Sequence, residues 1–233
     1  SSLTRAKGCS MIAITFALPH ESSGFRQLLS GYDREIAILH TGVGGELCRK
    51  RIGPFLEAQR FDFVISSGFA GGVDPLLGVG DLLLANNFSD PELLAQAQQA
   101  IIGQVGKLVT IEGVMESAAE RAHFAREHGA AAVDMETEWI AQACAARKIP
   151  FLSLRVISDT AAAPLPLPAG VLFNLAAQKT EPLILARYLA RRPAALVRLA
   201  RFARRIAAVR ASLTCALALL ARELVSLEQT RLG

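Results

Sequence analysis

The chain has 233 residues, of which 52% are apolar and 20% charged, and its net charge is +4. That length supports one well-buried core with an appendage, and the composition excludes a disordered chain. No apolar run reaches the length of a membrane-spanning helix.

Residues 1–10 are too short and too polar for a secretory signal, so a cytoplasmic protein is expected. Residues 11–17 form a β-branched apolar run that reads as a buried first strand. It ends in Leu18-Pro19-His20-Glu21, and residues 22–29 read as a short helix capped by Ser22 or Ser23. Residues 35–40 are a second strand, which runs into the Gly-rich turn Thr41-Gly42-Val43-Gly44-Gly45 and a helix over 46–59. Residues 61–66 are a third strand, followed by a second Gly-rich turn, Ser67-Gly68-Phe69-Ala70-Gly71-Gly72. Past Gly78-Val79-Gly80-Asp81 lies a strand at 82–85. Asp90-Pro91 opens a helix with the acid as cap and proline at the first helical position. Residues 107–111 are a strand, and 117–128 a helix stopped by Gly129. Two more strands end directly in acids: Val133 runs into Asp134-Met135-Glu136, and residues 151–157 run into Ser158-Asp159. Between them, 137–148 reads as a helix with Trp139, Ile140, Ala143 and Cys144 on one face. Residues 161–170 are a Pro/Ala linker, and the remainder is Leu/Ala/Arg-rich and helical, broken at Pro182 and Pro193.

Strands alternating with helices predict an α/β fold. Three regions follow: a tail at 1–10, a core at 11–160, and a basic helical region at 161–233 expected to pack on the same domain. The four cysteines, Cys9, Cys48, Cys144 and Cys215, show no metal-ligand spacing and are expected reduced, three of them buried. Eight arginines and no acid lie between Pro182 and Ala221. Charge gathered at one end points to a localised surface and not to nucleic-acid binding all over. Leu196, Leu199, Phe202, Ile206 and Val209 make an apolar side of that segment, which reads as a packed helix with solvated arginines or as an interfacial helix drawn to anionic lipid through 187–210. Residues 211–225 add apolar surface suited to oligomer or membrane contact.

Ligands of open α/β sheets bind at the carboxyl ends of strands. Asp134, Glu136 and Asp159 stand at such ends, which suggests acid/base chemistry on a small polar substrate. Any one of them alone reads first as a helix cap, Asp134 above all, and it is their coming together that points to a site. The Gly-rich turns let backbone N–H groups approach a sugar or an anion, yet each also reads as an ordinary tight turn.

Val133-Asp134-Met135-Glu136 followed by Arg155-Val156-Ile157-Ser158-Asp159 resembles the nucleoside phosphorylase/nucleosidase superfamily, which includes purine nucleoside phosphorylases and methylthioadenosine/S-adenosylhomocysteine nucleosidases. Matching pieces precede it in order: Ala17-Leu18-Pro19-His20-Glu21, Thr41-Gly42-Val43-Gly44, and Ser67–Gly72 with Gly78-Val79-Gly80-Asp81. The likeness covers about residues 11–160 and implies a three-layer α/β/α sandwich around a mixed, mostly parallel sheet. It implies Asp159 as the acid that protonates the leaving purine at N7, held protonated near neutral pH by burial. By the same resemblance Glu136 binds the ribose hydroxyls, Met135 packs on the ribose, Arg155 and Ser158 position the Asp159 loop, and Gly68 and Phe69 line the substrate site. Glu21 matches the residue by which nucleosidases activate water, although by itself it also reads as a solvated helix-end acid. His20 is expected to be exposed. No arginine for a phosphate loop lies in that segment, and Arg26 and Arg34 are the nearest. The resemblance implies a homo-oligomer, taken here as a dimer. It implies no cofactor or metal, inorganic phosphate entering only if the chain is a phosphorylase.

The chain departs from the family pattern in two places. Phe69 stands where relatives often carry serine, which removes a hydroxyl that binds phosphate or orders water. The segment between Asp81 and Pro91 is short, leaving the pocket open or to be closed by another segment or subunit. The tail resembles, in composition, hopanoid-associated members of the superfamily, which implies adenosylhopane, a lipid-linked nucleoside, as substrate and a position peripheral to the inner membrane face. Three functions therefore compete: a hydrolytic purine nucleosidase, a phosphate-dependent phosphorylase, and a non-catalytic nucleoside- or lipid-binding protein.

Overall fold

The computed structural model describes residues 11–29, 31–32 and 35–232, with side chains to 227. The expected tail 1–10, Cys9 and Arg34 lie outside the described residues. The strands are β1 (Ile12–Phe16), β2 (Ile36–His40), β3 (Phe63–Gly72), β4 (Leu82–Ala85), β5 (Gln104–Gly106), β6 (Leu108–Thr110), β7 (Ala132–Asp134) and β8 (Phe151–Asp159). The helices are α1 (Phe25–Leu28), α2 (Gly45–Ala58), α3 (Pro91–Ala100), α4 (Ala118–His128), α5 (Thr137–Ala145), α6 (Ala169–Leu172), α7 (Pro182–Arg191) and α8 (Ala194–Leu232).

The strand order is β2-β1-β3-β8-β4-β5, with β7 joining the far end of β3 and β6 joining β7. Five of the seven strand pairings are parallel; β4–β8 and β3–β7 are antiparallel. The side-chain period of two divides the core. Ile12, Ile14 and Phe16 face a cluster with α3 and the second half of α8, while Ala13 and Val64 face α2 and α5. Helices thus cover both faces, and the fold is the three-layer α/β/α sandwich around a mixed sheet.

Three elements differ from the sequence reading. Residues 67–72 are not a turn: β3 continues through them, pairing with β8 along one edge and with β7 at Gly71 and Gly72. A Cβ on Gly72 would stand 3.1 Å from both Ile157 Cγ2 and Thr160 Cγ2, so the glycine serves close strand packing. The helix expected over 22–29 shrinks to α1, entered through Gly24 in the left-handed region and with no side-chain cap from Ser22 or Ser23. The apolar face of 211–225 is not free for a membrane or a second subunit. Leu213, Leu217, Leu220, Leu224 and Val225 are buried in the main core.

Other local signals act as their chemistry dictates. Asp90 caps α3 by accepting from the N–H groups of Glu92 and Leu93, with Pro91 just inside. Ser117 caps α4, and Gly129 ends it at φ 59°. Cys48 and Cys144 are buried free thiols, pushed up to about 12 by burial, while Cys215 is exposed.

Candidate active site

Two connected cavities open where β1, β3, β7 and β8 end. The inner one, of about 230 Å³, is lined by Glu21, Phe69, Arg121, Met135, Glu136, Ser158 and Asp159 among others. The outer one, of about 720 Å³, shares Glu21, Phe69, Met135 and Ser158 with it. Its further walls are mainly apolar, with Leu18, Leu172, Phe173, Phe202 and Ile206 beside the polar His20, Asn174 and Thr180.

Glu21 follows β1 and is captured by its own turn, its Oε2 accepting from Ala17 N at 2.8 Å and Leu18 N at 3.2 Å. Burial pushes its carboxyl up to about 7, against those hydrogen bonds and the charge of Arg155. Glu136 follows β7 and accepts from Gly44 N at 2.7 Å. Burial first and the neighbouring Asp134 charge second push it up to about 8. The first Gly-rich turn is therefore both a tight strand-to-helix connection, with φ of 81° at Gly42 and 90° at Gly44, and a partner of a pocket carboxylate.

Asp159 ends β8. The pairing register shifts there, Ala70 opposing Ile157 but Gly71 opposing Asp159, so that Ser158 is the extra residue of a bulge. The bulge lets two consecutive residues, Ser158 and Asp159, both face the cavity. Ser158 Oγ donates to Asp159 Oδ1 at 2.6 Å. The other carboxylate oxygen is ion-paired with Arg121 Nη2.

Of the residues expected at the site, Glu21, Phe69, Met135, Glu136, Ser158 and Asp159 meet around the inner cavity. Gly68 and Arg155 lie behind it. Gly68 backs onto Glu21, where a Cβ would be 3.5 Å from Oε2. Arg155 does not hold the Asp159 loop. Its Nε binds Asp134 Oδ2 at 3.0 Å and its Nη2 binds Ser66 and Thr137, so its charge is spent on fixing Asp134. Asp134 also accepts from Thr137 N and Thr110 Oγ1, which makes it a cap and a strut. His20 is exposed at the outer rim, 6.4 Å from the Phe69 ring. Arg26 is exposed on α1 and lines neither cavity.

The sequence reading missed Arg121, which is 3% exposed. Its signal was faint: it shares a helix face with Phe124 and Ala125, which pack inward from the next turn. Of the alternatives left open for the pocket, an open mouth or closure by another segment or subunit, another segment of the chain is the one found. Gln178 clamps Val43 from the far end of the chain, accepting from its N–H at 2.8 Å and donating to its carbonyl at 2.9 Å. Residues 165–180 and the first half of α8 thus form the outer wall in place of the short 82–90 segment. Among the described residues no cluster of three or more His, Cys, Asp or Glu could hold a metal ion.

A sandwich with carboxylates gathered at strand ends around one cavity defines the class of this molecule. Residues 84–208 match the family model of the phosphorylase superfamily, and the chain belongs to that superfamily. It is 27% identical over 159 residues to a 5′-methylthioadenosine/S-adenosylhomocysteine nucleosidase of Staphylococcus epidermidis, a match covering 55% of this chain and 70% of the relative. Its fold is similar to native futalosine hydrolase of Helicobacter pylori (TM-score 0.58, 21% identity, 65% of this chain and 88% of that one). It is also similar to the 5′-methylthioadenosine/S-adenosylhomocysteine nucleosidase of Helicobacter pylori in complex with butyl-thio-DADMe-Immucillin-A (TM-score 0.59, 22% identity, 66% and 88%).

Proposed function

We propose that this enzyme is a purine nucleosidase that cleaves the N-glycosidic bond of an adenosine-type nucleoside by attack of water. The observation that carries the reading is the convergence of Glu21, Met135, Glu136, Ser158 and Asp159 on one cavity. The chemistry needs such a set. A purine is a poor leaving group unless a ring nitrogen gains a proton as the C1′–N9 bond breaks, and the sugar passes through a cation-like state. Asp159 gives its proton to N7 while the bond electrons go to the base. Water adds to C1′ and yields its proton to Glu21, whose pKa near 7 suits a base at neutral pH. Glu136 holds the ribose hydroxyls and Met135 packs on the ring. The nucleosidase relatives in sequence and fold support the same chemistry.

Water is favoured over phosphate by charge. The inner cavity carries Glu21, Asp134, Glu136 and Asp159 against Arg121, each of whose nitrogens is engaged within the protein. An entering phosphate would meet carboxylates and no unengaged arginine or lysine among the described lining residues. The apolar outer cavity favours a bulky apolar 5′ substituent, and we read adenosylhopane as the substrate, taken up by an enzyme seated at the inner membrane face through 187–210 and assembled as a dimer.

The test is purine release from 5′-substituted adenosines with and without inorganic phosphate. Release in phosphate-free buffer is expected, and strict phosphate dependence would make the chain a phosphorylase. Asp159→Asn should lower turnover by about 10²–10⁴-fold while ligand still binds. Unchanged turnover in that variant would remove Asp159 as the acid, and binding without turnover in the parent enzyme would leave a binding protein.

A further inference from the structure

We propose that Arg121 is a positioning residue for Asp159, which fixes the carboxyl group at the purine end of the cavity and stabilises the carboxylate left behind when its proton passes to the base. The inference rests on the nucleosidase reading above, in which Asp159 is the proton donor. Its observations are geometric. Arg121 is the buried residue of an otherwise exposed or half-buried α4. Its Nε and Nη2 bind Met115 O at 3.2 and 2.8 Å, its Nη1 binds Gly72 O at 3.0 Å, and its Nη2 ion-pairs with Asp159. One guanidinium therefore ties the loop before α4, the end of β3 and the end of β8 to a single carboxylate. Gly71 makes the room, since a Cβ there would stand 3.2 Å from Arg121 Nη1 and 3.5 Å from Asp159 Oδ2.

Stability does not explain the pair. Two charges taken out of water cost several kcal/mol each, and well-packed apolar residues in such places are often as stable. What the pair does is chemical. The guanidinium holds the carboxyl group in one orientation at the purine end and lies against the negative charge that forms on it as its proton passes to N7. The other charged groups at this cavity are Glu21 after β1, and Asp134 and Glu136 at the end of β7 with Arg155 of β8 behind them. Arg155 is spent on Asp134. Arg121 is thus the cation in contact with Asp159 among the described residues.

The experiment compares kcat/KM for 5′-methylthioadenosine with that for 4-nitrophenyl riboside in Arg121→Gln, Arg121→Lys and Gly71→Ala, each checked for folding by thermal melting. Arg121→Gln should lower kcat/KM for the nucleoside by about 10²-fold. Arg121→Lys, which keeps the charge, should recover part of that loss. Gly71→Ala, which keeps both charges but presses a methyl between them, should lower it by less. With 4-nitrophenyl riboside, whose leaving group departs without a proton, the rate should be unaffected. Rates lowered equally for both substrates in the variants that fold would overturn the proposal and leave Arg121 a structural tether. That failure is distinct from failure of the nucleosidase reading, which would show as undiminished purine release by Asp159→Asn.

Discussion

Glu21 holds its place at an electrostatic cost that sets its chemistry. Its carboxyl is buried between its own turn and the end of β3, at the wall of the inner cavity. The N–H groups of Ala17 and Leu18 recover part of that loss, and the balance leaves the carboxyl near 7. If it is the base that takes a proton from water, kcat/KM should rise with pH through about 7, and Glu21→Gln should abolish that limb and cost about 10²–10⁴ in rate. The same shift makes a stability prediction of definite sign. The ordinary value is 4.5, so between there and about 7 the folded state holds a proton that the unfolded state has lost. Stability is therefore greatest below 4.5, falls as pH rises to about 7, and is flat above that for this group, a change on the order of 3 kcal/mol. Glu136, pushed up to about 8, adds a fall of the same sign. Urea denaturation at about pH 5 and about pH 8 measures it, and Glu21→Gln should flatten the slope. A slope that survives unchanged in the variant would mean that Glu21 is not the group responsible.

Among the elements, α8 does two different jobs along one continuous helix. Its second half packs Leu213, Leu217, Leu220 and Leu224 onto the sheet, while its first half leaves Leu196 and Val197 more than half exposed. Leu217→Ala should destabilise the fold by about 2–5 kcal/mol, whereas Leu196→Ala should stay within about 0.5 kcal/mol of the parent; chemical denaturation of both compares the halves directly. The sequence carried the helical period of this region but not the depth to which each turn is buried, because burial is decided by what a helix lands on. The same limit governs the rest of the molecule. The acids at 134, 136 and 159 were legible since a strand must end where its apolar run ends, and the end of a strand is where a pocket forms. The length of β3 was not. Gly68, Gly71 and Gly72 carry turn composition, yet they lie in a strand paired with β8, and at Gly71 and Gly72 with β7 as well, where a Cβ on either of those two would crowd its neighbours. Arg121 was illegible for a further reason: it sits in a stretch of exposed charge, and its partner is 38 residues away. Arg155 invited the opposite error, since its place near Asp159 in the chain hid its partnership with Asp134.

The whole molecule is asymmetric in charge and in texture, and the asymmetry lies on one side of the pocket. Leu183, Ile184, Leu196 and Val197 are exposed large apolar residues of α7 and α8, and between Pro182 and Ala221 the chain carries eight arginines and no acid. Exposed leucine costs free energy in water and gains it in a headgroup layer, while arginine beside it gains about 1 kcal/mol per residue at an anionic surface. No helix among the described residues is long and apolar enough to cross a membrane, so contact of this kind would be at the surface. Phe202 and Ile206 of the same helix line the outer cavity, which sets the apolar chamber beside the basic stretch. If the surface docks on lipid, the protein should sediment with phosphatidylserine-containing vesicles at low salt. It should be released near 1 M salt, where the Debye length falls to about 3 Å. Replacing Arg198, Arg201 and Arg204 with alanine should weaken binding by roughly 100-fold, three times the single-arginine contribution. Sedimentation that ignores salt would assign the contact to the leucines alone. No sedimentation at low salt would remove the membrane from the proposal while leaving the carboxylate-lined cavity, and the hydrolysis it supports, untouched.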